Sequence, residues 1–146
     1  MTQPSALNTL IELAVNETEA AAKRLGIAVR AGDEAQSKLE LLLQYREDYA
    51  TRFQADLAAG LTAMSYRNFQ LFLEKLDSAI YGQQQAVFGA RQRIEKERNA
   101  WQAGERKRMS YGTLADRAHK VAQRKESKLD QKMTDEQAAR LSQYKR

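Results

Sequence analysis

Residues 7–53 read LNTLIELAVNETEAAAKRLGIAVRAGDEAQSKLELLLQYREDYATRF. Counting from Leu7 in alternating steps of four and three residues selects fourteen positions, of which eleven are apolar. They are Leu7, Ile11, Ala14, Thr18, Ala21, Leu25, Ala28, Gly32, Ala35, Leu39, Leu42, Arg46, Tyr49 and Phe53. A 3.5-residue repeat sustained over this length is typical of a coiled-coil seam, the apolar row along which two helices pack. The stretch therefore predicts one long helix, over about 5–57.

A second seam of the same spacing runs from residue 69 to residue 129, and thirteen of its eighteen positions are apolar. Its positions are Phe69, Leu73, Leu76, Ile80, Gln83, Val87, Ala90, Ile94, Glu97, Trp101, Gly104, Arg108, Tyr111, Ala115, Ala118, Ala122, Lys125 and Leu129. We expect a second helix over about 66–132. Between the helices, Gly60 is suited to end the first and Ser65 to cap the second. So short a connection, about 58–65, predicts an all-α fold in which two helices form one antiparallel hairpin.

Folding the chain about Leu61 sets the expected register. It places Leu42 opposite Ile80 and Leu7 opposite Ala115. At 1.5 Å per residue the first helix would be roughly 80 Å long and the second roughly 100 Å. Residues beyond about Arg117 are therefore predicted to have no partner inside the chain.

Small residues along the first helix affect how closely the two helices can pack. Alanine stands at every seventh position of the first helix, at Ala14, Ala21, Ala28 and Ala35, which favours a close approach of the helix axes.

Other residues bear on the second helix. Gly104, Ser110 and Gly112 weaken it locally, each glycine by about 1 kcal/mol relative to alanine, so we expect a bend there. Thr134 followed by Gln137 resembles a capping box, which predicts a short separate helix over 135–145.

Composition narrows the class of protein. The 146 residues carry a net charge of +5 and contain no cysteine, which excludes disulfides and thiolate metal sites. Residues 1–90 have a net charge of −3 and residues 91–146 a net charge of +8, so the C-terminal part either faces an acidic partner or is a solvated basic arm. Neither a signal peptide nor a run of roughly 20 apolar residues is recognisable. We expect a cytoplasmic protein.

No catalytic chemistry is predicted. The chain lacks a glycine-rich phosphate loop followed by Lys and Ser or Thr. His119 is the only histidine and lies in a lysine-rich stretch, where a solvated side chain is expected. Acidic neighbours such as Asp33 and Glu34 point about 100° apart on a helix and cannot share a substrate. The sequence predicts no enzyme, no metal and no cofactor.

Apolar residues beside the seams mark a candidate binding surface near the connection. On the first helix Leu42, Tyr45 and Tyr49 follow helical spacing, and on the second Phe72, Leu76 and Ala79 do so. Two helices can bury only one seam, so flanking rings either remain exposed as anchors for a partner or fold down over the seam and widen it. The sequence leaves both interpretations open.

Four stretches carry a resemblance to a known family. They are ALNTLIELA at 6–14, LELLLQYREDY at 39–49, NFQLFLEKLDSAI at 68–80 and KLDQKMTDEQAAR at 128–140. Together they resemble the flagellar FliJ family, and the polar C-terminal stretch is the most specific of them. The resemblance covers nearly the whole chain.

This resemblance implies a component of the bacterial flagellar type III export apparatus. Members form an antiparallel coiled coil similar to the stalk of the rotary ATP synthase gamma subunit. The resemblance implies binding in the pore of the hexameric export ATPase FliI, promotion of its assembly and activity, and contacts with the cytoplasmic domain of the export gate protein FlhA and with flagellar export chaperones. The implied location is cytoplasmic, peripherally at the inner membrane of the flagellar base, with no direct membrane insertion.

Transferred to this sequence, the implied sites form two sets. The gate-binding set is Leu42, Tyr45, Tyr49, Phe72, Leu76 and Ala79. The ATPase-binding set is Leu7, Leu10, Leu13, Asp130, Gln131, Lys132, Asp135, Glu136 and Arg140.

Three other interpretations remain open. A stand-alone coiled-coil export chaperone would bind unfolded or filament-type clients through the same exposed rings. Nucleic-acid binding through the basic C-terminal part is disfavoured, because acids are mixed among its bases and few aromatic residues are available to stack on bases. The unpartnered end of the second helix would also allow homodimerisation.

Overall fold

The computed structural model describes residues 5–144, and all but four of them belong to two long helices. Helix α1 spans Ala6–Ala59 and helix α2 spans Ala63–Tyr144. The predicted all-α antiparallel hairpin is confirmed. The described part of the chain contains no strand.

Local hydrogen bonds explain where the helices begin and end. The Ser5 hydroxyl accepts a hydrogen bond from the Asn8 amide at 3.2 Å and caps α1. Gly60, with a φ of 98°, adopts the left-handed conformation, and its amide donates to the Leu57 carbonyl. The cap of α2 is Thr62, whose hydroxyl accepts from the Ser65 amide at 3.1 Å. Ser65 was expected in that role, but it lies within the first turn.

The helices also extend further than predicted. The connection is only 60–62, and α2 continues without interruption to Tyr144. The expected separate helix over 135–145 is not seen within the described residues, and residue 145 lies outside them. Thr134 does not cap a new helix, because its hydroxyl donates back to the Asp130 carbonyl at 2.9 Å, inside a continuing helix. The helix likewise continues through Gly104 and Gly112.

Two compact units divide the chain. One comprises Glu19–Gln102 and contains the connection. Its core consists of Leu39, Leu76, Ile80 and Val87, with Ala35, Leu42 and Phe72 packed against it.

The other unit combines the described residues of 1–18 with those of 103–146. Here Ala14 is 1% exposed and Thr18 is 5% exposed. An added Cβ at Gly104 would lie 2.7 Å from the Thr18 Oγ1 and 3.4 Å from the Thr18 Cα. Glycine at 104 therefore permits a close approach of the two helices.

The seam predictions agree well with the observed burial. All fourteen selected positions of α1 are buried or half-buried. On α2 the seam is buried or half-buried as far as Ala115, with Arg108 as the exception. Facing residues have numbers that add up to about 122, as Thr18 and Gly104 do in one unit and Phe53 and Phe69 do in the other.

Polar residues within the seams have specific partners. The Thr18 hydroxyl donates to the Ala14 carbonyl at 2.7 Å, and the Gln83 amide group donates to the Ala35 carbonyl at 2.9 Å. Among the described residues, every buried side-chain nitrogen or oxygen has a hydrogen-bond partner. The seams therefore include polar residues without leaving a buried polar group unsatisfied.

We predict opposite effects for two glycine-to-alanine substitutions in α2. Gly112→Ala should raise the free energy of unfolding by about 1 kcal/mol, because alanine favours the helix and the added Cβ has nothing within 4 Å. Gly104→Ala should lower it by about 1 kcal/mol or more, because overpacking against Thr18 outweighs that gain. Urea unfolding monitored by circular dichroism measures both.

Thr18→Ala provides the control for this prediction. It removes the Oγ1 that lies 2.7 Å from the added Cβ, so Gly104→Ala should cost less in the Thr18→Ala background. Equal stabilisation by Gly104→Ala and Gly112→Ala would contradict the close packing.

Candidate functional site

Six aromatic rings form a continuous cluster beside the connection, and all of them belong to the unit Glu19–Gln102. Tyr45, Tyr49 and Phe53 lie on α1, and Tyr66, Phe69 and Phe72 lie on α2. The shortest centroid separation, 4.5 Å, joins Tyr49 and Phe72. The other five ring contacts lie between 5.0 and 6.5 Å, within the range of favourable aromatic pairs.

The two interpretations of these rings each hold for part of the cluster. Tyr49, Phe53, Phe69 and Phe72 are half-buried and widen the seam. Tyr45 remains 53% exposed while its ring contacts Tyr49 and Phe72. The cluster thus presents an exposed ring held in place by rings beneath it, which suits a preorganised anchor for a partner.

Five of the six predicted gate-binding residues are joined by ring contacts or by the core, whereas Ala79 is not among those contacts, and the six differ in accessibility. Leu42 and Phe72 are half-buried, and Ala79 is exposed. Leu76 is 6% exposed and belongs to the core with Leu39, so it supports the surface from below.

An ion pair borders the aromatic cluster. The Arg46 guanidinium donates to the Asp77 carboxylate across the two helices. This hydrogen bond lowers the pKa of Asp77 below its ordinary value of 3.8 and raises the pKa of Arg46. Because both side chains are well exposed, solvent screens the pair.

The predicted ATPase-binding residues lie in the other unit. Leu7 is half-buried, while Leu10 and Leu13 are 43% and 53% exposed. The C-terminal members are all exposed: Asp130, Gln131, Lys132, Asp135, Glu136 and Arg140.

We call residues 116–144 the α2 extension, because every one of them is exposed. The extension includes Val121, Leu129, Met133, Leu141 and Tyr144, which are 50% to 91% exposed. The start predicted for the unpartnered segment, near Arg117, agrees with this burial pattern.

Sequence reasoning missed several aromatic residues. Tyr66 joins the cluster by its contact with Phe53 at 5.5 Å. The signal that could have identified it is its place three residues before Phe69, where the seam repeat continues backward. Tyr81 and Phe88 are 64% and 59% exposed on α2. They are seven residues apart, a spacing that places both on one side of a helix.

Other kinds of site can be described for residues 5–144 only. Within that range no group of three or more His, Cys, Asp or Glu could hold a metal ion. Neither α1 nor α2 includes a stretch long and apolar enough to cross a membrane.

Comparison with known proteins identifies the family. The family model for the flagellar FliJ protein matches residues 3–146. The chain belongs to the flagellar FliJ family. It is 32% identical over 145 residues to the flagellar FliJ protein of Escherichia coli (strain K12), a match that covers 99% of both chains. It is 30% identical over 145 residues to the flagellar FliJ protein of Salmonella typhi, again with 99% of both chains covered.

Membership of the FliJ family confirms the resemblance found in the sequence. The match runs through the aromatic cluster and through the α2 extension. Both surfaces therefore belong to the part of the chain that is common to the family, and the protein is a flagellar protein.

The Arg46–Asp77 pair predicts a weak pH dependence of stability. Since the folded-state pKa of Asp77 is lowered, the pair stabilises the fold above the ordinary pKa of aspartate and ceases to do so as the pH falls through the lowered value. Asp77→Asn should therefore slightly lower the melting temperature at pH 7, and this difference should shrink at about pH 2.

Thermal melts followed by circular dichroism at both pH values measure the effect. Glu74→Gln, at an exposed position of α2, is the matched control and should show no such dependence. A deficit of Asp77→Asn that persists at the lower pH would rule out the ion pair as its cause.

Proposed function

We propose that this protein is a non-enzymatic component of the flagellar type III export apparatus that acts as the central stalk of the export ATPase. In this role the chain termini and the α2 extension bind in the pore of the FliI hexamer and promote its assembly and activity. The aromatic cluster contacts the cytoplasmic domain of FlhA, and the protein also receives export chaperones. It acts on the cytoplasmic side of the flagellar base, peripherally to the inner membrane.

The observation that carries the proposal is the α2 extension. It continues the helix beyond Ala115, where contact with α1 ends, and none of its residues is buried. At 100° per residue, the directions of Val121, Leu129, Met133, Leu141 and Tyr144 span roughly 200° of the helix circumference. A partner that touched one face would leave part of this apolar surface in water, whereas a pore can surround it.

The aromatic cluster supports a second contact of different chemistry. Its most exposed ring, Tyr45, is braced by Tyr49 and Phe72, and rigid aromatic side chains are favoured anchors of protein interfaces. A stalk needs two such separate surfaces, one for the ATPase hexamer and one for the export gate protein.

A second candidate function is that of a stand-alone export chaperone. The exposed apolar side chains of Ile27, Leu41, Tyr81 and Phe88 favour it, because apolar surface is what unfolded clients bind. This candidate does not require the ATPase.

Removal of the α2 extension separates the two functions. Among the described residues, a protein ending at Arg117 loses only exposed ones, so its melting temperature should match that of the full chain. It should no longer stimulate ATP hydrolysis or hexamer formation by the export ATPase.

The assay measures the hydrolysis rate and the sedimentation of the ATPase with each protein. Stimulation by the full chain but not by the shortened one supports the stalk. Absence of stimulation by either protein favours the chaperone function, and equal stimulation by both would show that the extension is not the contact.

The gate contact predicts a specific loss of affinity. Tyr45→Ala should weaken binding to the cytoplasmic domain of FlhA by about tenfold or more, the effect expected for an aromatic anchor. Isothermal titration calorimetry measures the dissociation constant.

Leu41→Ala is the matched control, because Leu41 lies one turn away on α1 and is 70% exposed. It should leave binding unchanged, and neither substitution should alter stimulation of the ATPase. Equal losses from both would contradict a contact centred on Tyr45.

A further inference from the structure

Between residues 116 and 130, the α2 extension separates its charges by side. Arg117, Lys120, Arg124 and Lys128 are three or four residues apart, so on a continuous α-helix they fall within roughly 80° of one another. We call these four residues the basic row. The interspersed acids Asp116, Glu126 and Asp130 centre on a side roughly 120° away. Acids and bases that are mixed in sequence are thus segregated on the helix.

The cations of the basic row have no counter-ion among the residues that the structure describes. Each of the four is exposed, and none of them forms an ion pair with any residue among 5–144. Like charges at this spacing repel one another and destabilise an isolated helix.

Cations in the packed regions behave differently. In the unit Glu19–Gln102, the Arg24 guanidinium pairs with Glu97 at 3.0 Å. In the other unit, the Lys107 ammonium lies 3.9 Å from the Glu17 carboxylate. Where α1 and α2 lie side by side, acids of one helix approach cations of the other. Beyond Ala115 every described residue of α2 is exposed.

We propose that the basic row binds a row of carboxylates on a partner protein. These carboxylates act as the counter-ions that acids of the neighbouring helix provide in the packed regions. The inference rests on the proposed function, since it names the chemistry of the partner surface that meets the α2 extension. It adds residues outside the predicted ATPase-binding set.

The surroundings of the row favour a protein over a nucleic acid. Gln123 and Ser127 line the same groove as Lys120, Arg124 and Lys128 and offer side-chain hydrogen bonds. The nearby acidic side would repel a wide polyanion, whereas a narrow row of carboxylates can contact the basic row without approaching the acidic side. The groove contains no aromatic residue on which a base could stack.

The test removes the charges without removing the helix. In one variant Lys120, Arg124 and Lys128 are all replaced by Gln, a good helix former of similar length. The control variant carries Gln at the exposed positions Lys23, Arg30 and Lys38, so its net charge changes by the same amount. Circular dichroism verifies that both retain the helix content of the full chain.

Binding to the cognate export ATPase is then titrated at low and high salt. The basic-row variant should bind about tenfold more weakly at low salt, the effect of losing three exposed ion pairs, and the difference should shrink at high salt. The control variant should bind as the unchanged chain does.

The outcomes separate the two proposals. If the two variants bind alike, the proposed contact through the basic row is wrong, while the stalk function stands. If the unchanged chain does not bind, both fall. A second titration compares poly-glutamate with a single-stranded oligonucleotide of equal charge. Tighter binding of the oligonucleotide, lost in the basic-row variant, would overturn the assignment to an acidic protein.

Discussion

Two helices packed side by side can bury only one seam, and this constraint determines most of the structure. Only seven hydrophobic residues among those described are buried, and each of them occupies a predicted seam position. Apolar side chains that a larger domain would bury, such as Leu41, Tyr81 and Phe88, remain exposed. The geometry that limits the core also provides the surfaces on which partners can bind.

The seam contains two kinds of contact. Around Thr18 and Gly104 small residues predominate, and an added methyl group has no room. Around Tyr49 and Phe72 large rings meet and spread beyond the seam. Small residues allow the two helices to approach closely but contribute little exposed surface. Aromatic rings widen the seam and leave their edges accessible. The change from alanine to aromatic residues along α1 therefore separates a tightly packed contact from one that also leaves aromatic surface exposed.

The fold could be predicted from the sequence because its main determinant is periodic. The 3.5-residue repeat identified both helices, the register and the point near Arg117 beyond which burial stops. The end of α2 was misjudged because Thr134 and Gln137 match a capping pattern, although a threonine hydroxyl inside a helix bonds equally well to the carbonyl four residues earlier. The start of α2 was misplaced by three residues because Thr62 and Ser65 are both good caps, and sequence does not decide between them.

Prediction of the candidate surfaces was less complete for a different reason. Helical spacing places Tyr45 and Leu76 on neighbouring stripes, but their exposed fractions, 53% and 6%, depend on how the facing helix is rotated. Tyr66 was missed because the second seam was counted only from Phe69, although the same repeat continued three residues back selects Tyr66. The segregation of charges over residues 116–130 was not recognised in the sequence because residues adjacent in sequence point to different sides of a helix.

The three-residue connection also constrains how the chain can fold. Since facing residue numbers add up to about 122, the loop closed by each contact lengthens steadily with distance from Gly60. Phe53 and Phe69 are sixteen positions apart, Arg46 and Asp77 thirty-one, and Arg24 and Glu97 seventy-three. Contacts that close short loops lose the least chain entropy, so the aromatic contacts beside the connection can form first and each later contact need close only a small additional loop. Such a topology favours zippering from the connection, with the aromatic rings as its nucleus.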